Sequence, residues 1–578
     1  MKWFTNSIQR LFSPDTFIWV FPLLLVVPNI VLDITEYSSA WSKAANLLLP
    51  FGIYLLVLSL RPRTGLMALL FIPVLVYVCV QLVLLHLYGE SIIAVDMLLN
   101  LVTTNMNEAS ELLGSLAWAI LLVGIVYIPL LIWAVVLALK GAECSRGRRR
   151  KVSFVGEAAT GLGLVCVVVA SCTGDRAGGN VDIFPANVAV NTVIATQRTF
   201  DTRDYYHTSA GFSYNATTTR ANDQREIYVL VVGETSRADN WTMFGYERPT
   251  NPRLSRRSDI LKYPKTLTET NITYKSVPML LSWTTSSNFG DSIYTSKSII
   301  DAFNNAGFNT GYLSNQGRNH SFIDFFARES QFQLFVTDDG RRHYDDELVG
   351  PLARFIDESS NSKIFVVLHT YGSHYNYNER YRRSQAVFIP DSDTKPLVEN
   401  RSQMINAYDN SIIATDAMLD SVIDLLQAQG VPCAMIYVSD HGEDILDDSR
   451  ERYLHASPVP TYYQLHVPLL IWMSDEFRSK YPKMYARAAS HQSMNVSSSR
   501  TVFHTMLQIA GVHTRYRSDV ESLVSDSYRE PARVYMTDHN EEVPLTKGGL
   551  RHFDYEQLRL HGIDDGSTAN IDCMGSAR

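Results

Sequence analysis

The sequence predicts two parts of different fold class: a transmembrane domain of five helices, and an α/β domain with a mostly parallel sheet sandwiched by helices. Long uncharged apolar runs dominate the first third of the 578 residues, whereas shorter apolar runs alternate with helical patterns in the rest. Such alternation is typical of a parallel sheet that is covered on both faces. We expect the transmembrane domain in residues 1–173, a juxtamembrane connector in 174–225 and the α/β domain in 226–578.

The apolar runs of the first third each approach the roughly 20 residues that a helix needs to cross a bilayer. They cover residues 16–32, 44–60, 66–85, 116–139 and 152–173. The last of them is weaker because it contains Glu157. The first run has no clear small-residue cleavage site and four more runs follow it, so we interpret it as an anchor and not as a cleaved signal peptide.

Basic residues predict the orientation of these helices, because Lys and Arg beside membrane helices are retained on the cytoplasmic side. Arg61 and Arg63 follow the second run, and residues 140–151 between the fourth and fifth runs are rich in Arg and Lys. The loops after the first and third runs are mainly acidic. Five crossings from a cytoplasmic amino terminus therefore place the α/β domain outside. If the run with Glu157 does not cross, that domain is cytoplasmic instead.

Charge and cysteine content argue against a nucleic-acid-binding protein and against a disulfide-scaffold protein. The net charge is −8, and no basic block lies outside the membrane part, so nothing favours binding to nucleic acid. The six cysteines do not form the spacing of a disulfide scaffold. Spacing alone leaves open whether Cys433 and Cys573 are bridged.

From residue 226 onward, strands and helices alternate. Predicted strands cover residues 227–232, 363–368, 433–438, 467–472 and 533–536, with a short strand that ends at Leu313. Predicted helices cover residues 296–305, 347–357 and 501–510, with a long helix whose apolar face runs from Ile405 to Leu426 and which stops at Gly430.

Some of these strands end in acidic or imidazole side chains. Glu234 follows the first strand, the segment His369 to His374 ends another, and Asp440 and His441 end a third. Open α/β sheets carry their sites at the carboxyl ends of strands. Two carboxylates and one imidazole suit Zn²⁺ or Mn²⁺ with a coordination position left open. Each group taken singly is more often a helix cap or a surface hydrogen bond, and only the combination favours a metal site.

The segment 268–278 supplies hydroxyl groups that such a metal site needs for covalent chemistry. An alcohol becomes a good nucleophile only beside a base or on a metal. Thr268, Thr270 and Thr273 are equivalent by this reasoning, and the residues alone leave the choice open.

Three motifs occur in order: Gly233-Glu-Thr-Ser-Arg237, Thr273-x-x-Ser-Val-Pro278 and Asp440-His-Gly-Glu443. Together with the five membrane helices they resemble the membrane-anchored phosphoethanolamine transferases of Gram-negative envelopes, in the sulfatase and alkaline phosphatase superfamily. The resemblance covers nearly the whole chain and implies an alkaline-phosphatase-like fold. It implies Thr273 as the nucleophile that carries phosphoethanolamine. It also implies zinc, with Mn²⁺ less favoured, and this set of ligands: Glu234, Thr273, Asp440 and His441.

The same resemblance implies residues that bind substrate. His374 and His455 would lie near the substrate phosphate or a second zinc, although His455 without the resemblance is a surface histidine. Asn100, Thr104 and Glu108 would approach the lipid head group. Their spacing of four places them on one helical face, which by physics alone is also the pattern of a polar face at the membrane boundary.

The implied reaction moves phosphoethanolamine from phosphatidylethanolamine to lipopolysaccharide, on the periplasmic side of the inner membrane. Related enzymes modify lipid A and underlie polymyxin resistance. The segment from Ser314 to His320 lacks the nearby Cys that lipid A transferases usually carry, and it looks closer to enzymes of the core sugars, so lipid A phosphate and core sugar both stay open as acceptor. The alternatives are a phosphoglycerol transferase and a catalytically silent glycolipid-binding membrane protein. A sulfatase lacks support, since the Cys/Ser-x-Pro-x-Arg context is absent.

Overall fold

The structure is a computed structural model that describes residues 12–36, 38–89, 92–103, 106–173, 183–221 and 224–567, without the side chains of 88 and 101–115. It divides into two units. The membrane unit is Met1–Leu98 with Leu112–Thr196, and the α/β unit is Leu99–Glu111 with Gln197–Arg578. The predicted boundaries at residues 173 and 225 stay predictions, and Cys573 lies outside the described residues.

The amino-terminal part is helical. Its helices are α1 (Pro14–Leu25), α2 (Val27–Thr35), α3 (Ala40–Ser59), α4 (Thr64–Ala68), α5 (Ile72–Tyr88), α6 (Val95–Thr103), α7 (Met106–Leu139), α8 (Arg146–Cys172) and α9 (Ala186–Arg203). Among the described residues, five stretches are long and apolar enough to cross a membrane: Pro14–Thr35, Ala40–Ser59, Thr64–Leu87, Leu116–Leu139 and Arg146–Cys172. The five predicted runs are thus confirmed as helices. The last begins before residue 152 because the Ser145 side chain caps it by accepting from the Arg148 amide at 3.4 Å.

Helices α3 and α8 pack closely because glycine faces the neighbouring backbone. A Cβ atom on Gly163 would lie 2.8 Å from the Leu49 amide nitrogen, and one on Gly156 would lie 3.1 Å from the Gly52 carbonyl oxygen. A Cβ on Gly52 would collide with Thr160. Small residues of this kind let membrane helices approach each other where no hydrophobic effect drives association. We call this contact the glycine seam.

The α/β unit contains these further elements. The strands are β1 (Thr217–Thr218), β2 (Glu226–Gly233), β3 (Ile260–Lys262), β4 (Thr266–Leu267), β5 (Asn309–Ser314), β6 (Phe332–Phe335), β7 (Lys363–His369), β8 (Cys433–Ser439), β9 (Asp444–Ile445), β10 (Tyr453–Leu454), β11 (Leu469–Met473), β12 (Val496–Ser497), β13 (Val512–His513), β14 (Val534–Met536) and β15 (Glu542–Pro544). The helices are α10 (Tyr205–Thr208), α11 (Thr273–Leu281), α12 (Phe289–Ser292), α13 (Ile299–Asn305), α14 (Phe322–Ala327), α15 (Val349–Glu358), α16 (Arg401–Gln427), α17 (Tyr462–Leu465), α18 (Asp475–Lys480), α19 (Pro482–Ser490), α20 (Ser498–Ile509) and α21 (His552–Leu560).

A seven-stranded sheet organises this unit, in the order β3-β11-β8-β2-β7-β5-β6. Strands β8, β2, β7, β5 and β6 are parallel, and β11 pairs antiparallel with both β8 and β3. Only β11 therefore runs in the opposite direction, which confirms a mostly parallel sheet. Every residue of β2 is buried, as expected for the central strand of a covered sheet. The carboxyl ends of β8, β2, β7 and β5 therefore lie along one edge.

Some elements of this unit differ from the predictions. The predicted last strand, residues 533–536, does not join the large sheet, because β14 pairs with β15 in a separate antiparallel pair. The partner lies only a short loop away, and closing a short loop costs little entropy. The helix predicted from residue 296 begins at Ile299, because the Ser298 side chain caps it by accepting from the Ile300 amide at 3.2 Å.

Candidate active site

The ends of β2 and β8 are tied together by one carboxylate. The Asp440 amide donates to the Gly233 carbonyl at 3.1 Å, which continues the strand pairing past its last residue. Asp440 Oδ1 then accepts from the Thr235 amide at 3.0 Å and from the His441 amide at 2.8 Å. Thr235 has a φ of +59°, so the chain turns sharply directly after Glu234. The two loops are thereby fixed in relation to each other.

Thr273 is the first residue of α11 and faces this edge. Its Oγ1 donates to Glu234 Oε1 at 3.1 Å and lies 3.0 Å from His441 Nε2. The neighbouring hydroxyl of Thr268 instead contacts Ser499 at 3.4 Å. The structure therefore separates two hydroxyl groups that the sequence left equivalent, and only Thr273 of these two meets the strand ends.

The residues around Thr273 fit a divalent cation. One ligand atom each from Glu234, His441 and His455 lies within 4.8 Å of the others. His441 Nδ1 donates to the Gly442 carbonyl at 2.9 Å, so the lone pair of Nε2 faces the group. Asp440 Oδ2 lies 3.3 Å from that nitrogen. Burial lowers the pKa of His441 to about 4, which keeps the imidazole neutral and able to bind a metal.

His455 and His374 complete the group. The ring of His455 lies 4.1 Å from that of His441 and 5.9 Å from that of His374, between ring centroids. The sequence assigned His455 to the substrate, whereas the structure also places it among the atoms that are able to hold a metal. Burial lowers the pKa of His374 well below its usual value, and the Arg380 guanidinium lowers that pKa further.

The remaining predicted residues have different outcomes. His369, at the end of β7, is fully buried, and its Nδ1 bonds to the Tyr312 hydroxyl at 2.9 Å, outside the group around Thr273. Asn100 lies in α6. Thr104 lies outside the described residues, and so does the side chain of Glu108. A head-group role for these three stays a prediction.

Three residues of the site carry no assignment from the sequence. Gln316 contacts Glu234, and the Ser276 hydroxyl donates to Asp440 Oδ2 at 3.2 Å. Glu443 Oε1 lies 3.4 Å from His455 Nδ1, and burial raises the pKa of Glu443 well above its usual value. Gln316 and Glu443 follow strands that end at this edge, and that position in the sequence could have indicated that they belong to the site. The Ser276 contact depends on how α11 docks, and no sequence pattern reports that.

Residues 226–512 match the family model described as Sulfatase. Phosphoethanolamine transferase EptA of Salmonella typhimurium is 31% identical over 317 residues, which cover 53% of this chain and 57% of that protein. Kdo(2)-lipid A phosphoethanolamine 7''-transferase of Escherichia coli is 28% identical over 43% of this chain and 44% of that protein. The chain thus spans about half the length of the curated relatives it matches.

Solved structures extend the likeness to the membrane part. The integral membrane protein EptA from Neisseria meningitidis matches with a TM-score of 0.66 and 20% identity, over 91% of this chain and 98% of that chain. The periplasmic domain of EptC from Escherichia coli, in complex with Zn, matches with a TM-score of 0.53 and 23% identity, over 59% of this chain and 97% of that chain. These likenesses show the fold.

Proposed function

We propose that this protein is a metal-dependent phosphoethanolamine transferase, since residues 226–512 match the Sulfatase family model. The donor is phosphatidylethanolamine and the acceptor is lipopolysaccharide, at a lipid A phosphate or a core sugar. The protein is anchored in the bacterial inner membrane, and its α/β unit faces the periplasm. The names of the relatives and the five apolar helices support this proposal.

One observation carries the proposal. A threonine hydroxyl lies 3.1 Å from a buried carboxylate oxygen and 3.0 Å from a neutral imidazole nitrogen, at the edge where parallel strands end. A threonine with a purely structural role does not need a carboxylate, an imidazole and a further histidine around its hydroxyl. A threonine nucleophile needs such groups, because its hydroxyl must lose a proton before it attacks.

Glu234, Thr273, Asp440 and His441 would hold the metal, with His455 as a further ligand. Zinc is favoured over manganese because imidazole nitrogen suits it. When bound, the ion supplies positive charge that lowers the pKa of the Thr273 hydroxyl and offsets charge on the transferred phosphoryl group.

In the first half of the reaction, Thr273 Oγ attacks the phosphorus of phosphatidylethanolamine. Oγ gives up its proton, a bond forms between Oγ and phosphorus, and the bond from phosphorus to the diacylglycerol oxygen breaks. The diacylglycerol oxygen takes up the proton that Thr273 lost. Glu234 Oε1 accepts the Thr273 hydroxyl hydrogen in the resting site and so aims Oγ. The product is phosphoethanolamine bound to Thr273.

In the second half, an acceptor oxygen attacks the phosphothreonine, and the bond between Thr273 Oγ and phosphorus breaks. His374 Nδ1 donates to the Tyr375 carbonyl at 2.9 Å, and its lowered pKa keeps the ring neutral, so Nε2 has a free lone pair. That lone pair accepts the proton of an acceptor hydroxyl. That proton is then passed on to the Thr273 oxygen released from phosphorus, so His374 is neutral again and the resting site is restored.

Mass spectrometry of lipid A and core oligosaccharide tests the proposal. Cells that express the wild-type protein should gain phosphoethanolamine on one of these parts, and cells with Thr273→Ala should not. Thr268→Ala is the matched control, because it deletes a hydroxyl of the same segment that contacts Ser499 instead. Transfer by the Thr273→Ala protein at the wild-type rate would refute the mechanism. Added glycerol phosphate would favour the phosphoglycerol transferase, and no added group with either protein would favour a silent glycolipid-binding protein.

A further inference from the structure

Gln316 lies directly after β5 and reaches the carboxylate that faces Thr273. Its side chain is 7% exposed. Gln316 Nε2 donates to Glu234 Oε2 at 3.1 Å and to the Thr370 carbonyl oxygen at 2.9 Å. Both partners are acceptors, so the amide nitrogen and not the amide oxygen must face them. The orientation of this amide therefore follows from its surroundings.

The backbone that carries Gln316 is itself fixed. The Gln316 amide donates to Ser314 Oγ at 3.0 Å, and its carbonyl accepts from Thr337 Oγ1 at 3.0 Å. The preceding Asn315 donates its amide N–H to the His369 carbonyl at 2.9 Å. The donor is thus held in place before any ligand binds, and little side-chain entropy is lost when it acts.

This contact divides the two oxygens of Glu234 between different partners. Oε1 accepts from the Thr235 hydroxyl at 2.9 Å and from the Thr273 hydroxyl at 3.1 Å, and it lies 3.6 Å from His441 Nε2. Oε2 accepts from Gln316. We propose that Gln316 is a positioning residue that makes Glu234 a one-oxygen metal ligand, with Oε1 held toward Thr273. The inference rests on the proposed function only in that Glu234 binds the metal.

The choice of an amide has a chemical reason. A Lys or Arg in this position would orient the carboxylate but would also neutralise the charge that attracts a divalent cation. A carboxylate there would repel Glu234. A neutral donor orients Glu234 and leaves its full charge for the metal, as outer partners of metal ligands commonly do.

A purely structural role predicts a different result. In that case Gln316 would serve only to join the loop after β5 to the loop after β7, through the Thr370 carbonyl. Its loss would then lower the thermal stability of the protein and leave zinc affinity unchanged. The two roles separate when both quantities are measured on the same variants.

The test uses the full-length protein in detergent, freed of metal and titrated with Zn²⁺ against a competing chelator. Gln316→Met keeps the volume and removes the donor, and Gln316→Glu keeps the shape and adds a negative charge. We expect Gln316→Met to weaken Zn²⁺ binding by about 10–100-fold, the usual effect of losing such a partner. Gln316→Glu should weaken it less than Gln316→Met, because the donor is lost in both but the added negative charge attracts the cation. Gln333→Met is the control, since Gln333 lies exposed in the adjacent strand β6.

Unfolding of the metal-free proteins is measured beside zinc affinity. Zinc affinity of Gln316→Met equal to that of the wild type, with or without a lower unfolding temperature, overturns the inference. If either Gln316→Met or Gln316→Glu fails to fold, zinc affinity is measured on the other variant, which also lacks the donor. If zinc affinity depends on Gln316 but the wild-type protein transfers no phosphoethanolamine, the inference stands and the proposed function fails.

Discussion

The two units use apolar and small residues in opposite ways. In the membrane unit, large apolar side chains such as Trp118 and Ile125 are exposed, and glycine lies at the contact of α3 with α8. In the α/β unit, the apolar residues of β2 are all buried, and polar side chains collect where the strands end. Lipid is as apolar as leucine, so contact between membrane helices comes from close backbone approach, whereas water drives apolar strands inward.

The contrast extends to polar groups. Within the membrane unit, the buried Asn29 side chain donates to the Asn46 and Phe184 carbonyl oxygens, both at 2.8 Å, and so joins three segments. In the α/β unit, the buried Asp440 and Gln316 side chains hold loops that carry the candidate site. Buried polar groups therefore join helices in one unit and aim reactive side chains in the other.

The largest effect is expected where the chemistry is concentrated. His441→Gln removes the neutral nitrogen that lies 3.0 Å from Thr273 Oγ1. We expect loss of bound zinc and a fall in transfer of roughly a thousandfold, which corresponds to about 4 kcal/mol of transition-state stabilisation. Metal analysis and the transfer rate measure the two effects.

His369→Gln is the control for this experiment. His369 is also a buried histidine at the end of a strand of the same sheet, but it bonds to Tyr312 and not to the group around Thr273. The His369→Gln protein should therefore still bind zinc. Equal loss of zinc in both variants would show that damage to the sheet edge, and not a missing ligand, is the cause.

The next prediction breaks the glycine seam. In Gly163→Leu, the new side chain meets the Leu49 backbone, since its Cβ alone would lie 2.8 Å from the Leu49 nitrogen. We expect the membrane unit to lose about 1–3 kcal/mol of stability, as in other overpacked interiors. Gly161→Leu, on the same helix, has nothing within 4 Å of its Cβ and should have no such effect. Thermal unfolding in detergent compares the two, and equal unfolding temperatures would contradict close packing at the seam.

A similar pair of variants tests close approach in the α/β unit. Gly372 has a φ of +53°, and a Cβ on it would lie 2.5 Å from the Glu234 carbonyl oxygen. Gly430 has a φ of +60° with nothing within 4 Å. Alanine at either position costs about 1–2 kcal/mol of backbone strain. We expect Gly372→Ala to lose roughly 1 kcal/mol more than Gly430→Ala, and to bind zinc more weakly because the Glu234 backbone must move.

Unfolding and zinc titration of these two variants are read together. A Gly372→Ala protein that matches Gly430→Ala in both measurements would mean that the loop after β7 shifts freely. The position of Glu234 would then not depend on that loop.

The smallest effect concerns pH and a buried carboxyl group away from the site. Glu329 accepts from the Tyr205 hydroxyl at 2.9 Å and from the Ser298 amide at 2.9 Å, yet burial raises its pKa from 4.5 to about 7. A raised pKa in the folded state means that its stabilising effect is fully present below pH 4.5 and is lost as pH rises through about 7. The contribution of Glu329 to the unfolding temperature should therefore fall between pH 4.5 and about pH 7. Glu329→Gln should remove that part of the fall, and an unchanged pH profile would contradict the assignment.

The sequence predicted the strands that meet at the edge, because β2, β7 and β8 are buried runs of strand length that stop at polar residues. Glu234, Asp440 and His441 could therefore be selected from local pattern, although their roles stay predictions. Thr273 could not be separated from Thr268 without the family resemblance, since the difference lies in how α11 docks. Gln316 was missed because its role depends on β5 pairing with β7, a contact between segments about 50 residues apart in the chain. The start of α8 was not predicted, because the basic residues before residue 152 interrupt the apolar pattern. These residues nevertheless belong to the helix that Ser145 caps.

The glycine seam also bears on the order of biosynthesis. More than a hundred residues separate Gly52 from Gly163, so a ribosome that adds about 5–20 residues per second needs roughly 5–20 s to pass from one to the other. During that interval α3 is already made and its partner is not. The face of α3 that carries Gly52 therefore lacks its α8 contact until α8 has been made. The membrane unit therefore completes this contact only when α8, the last of its five long apolar stretches, has been made.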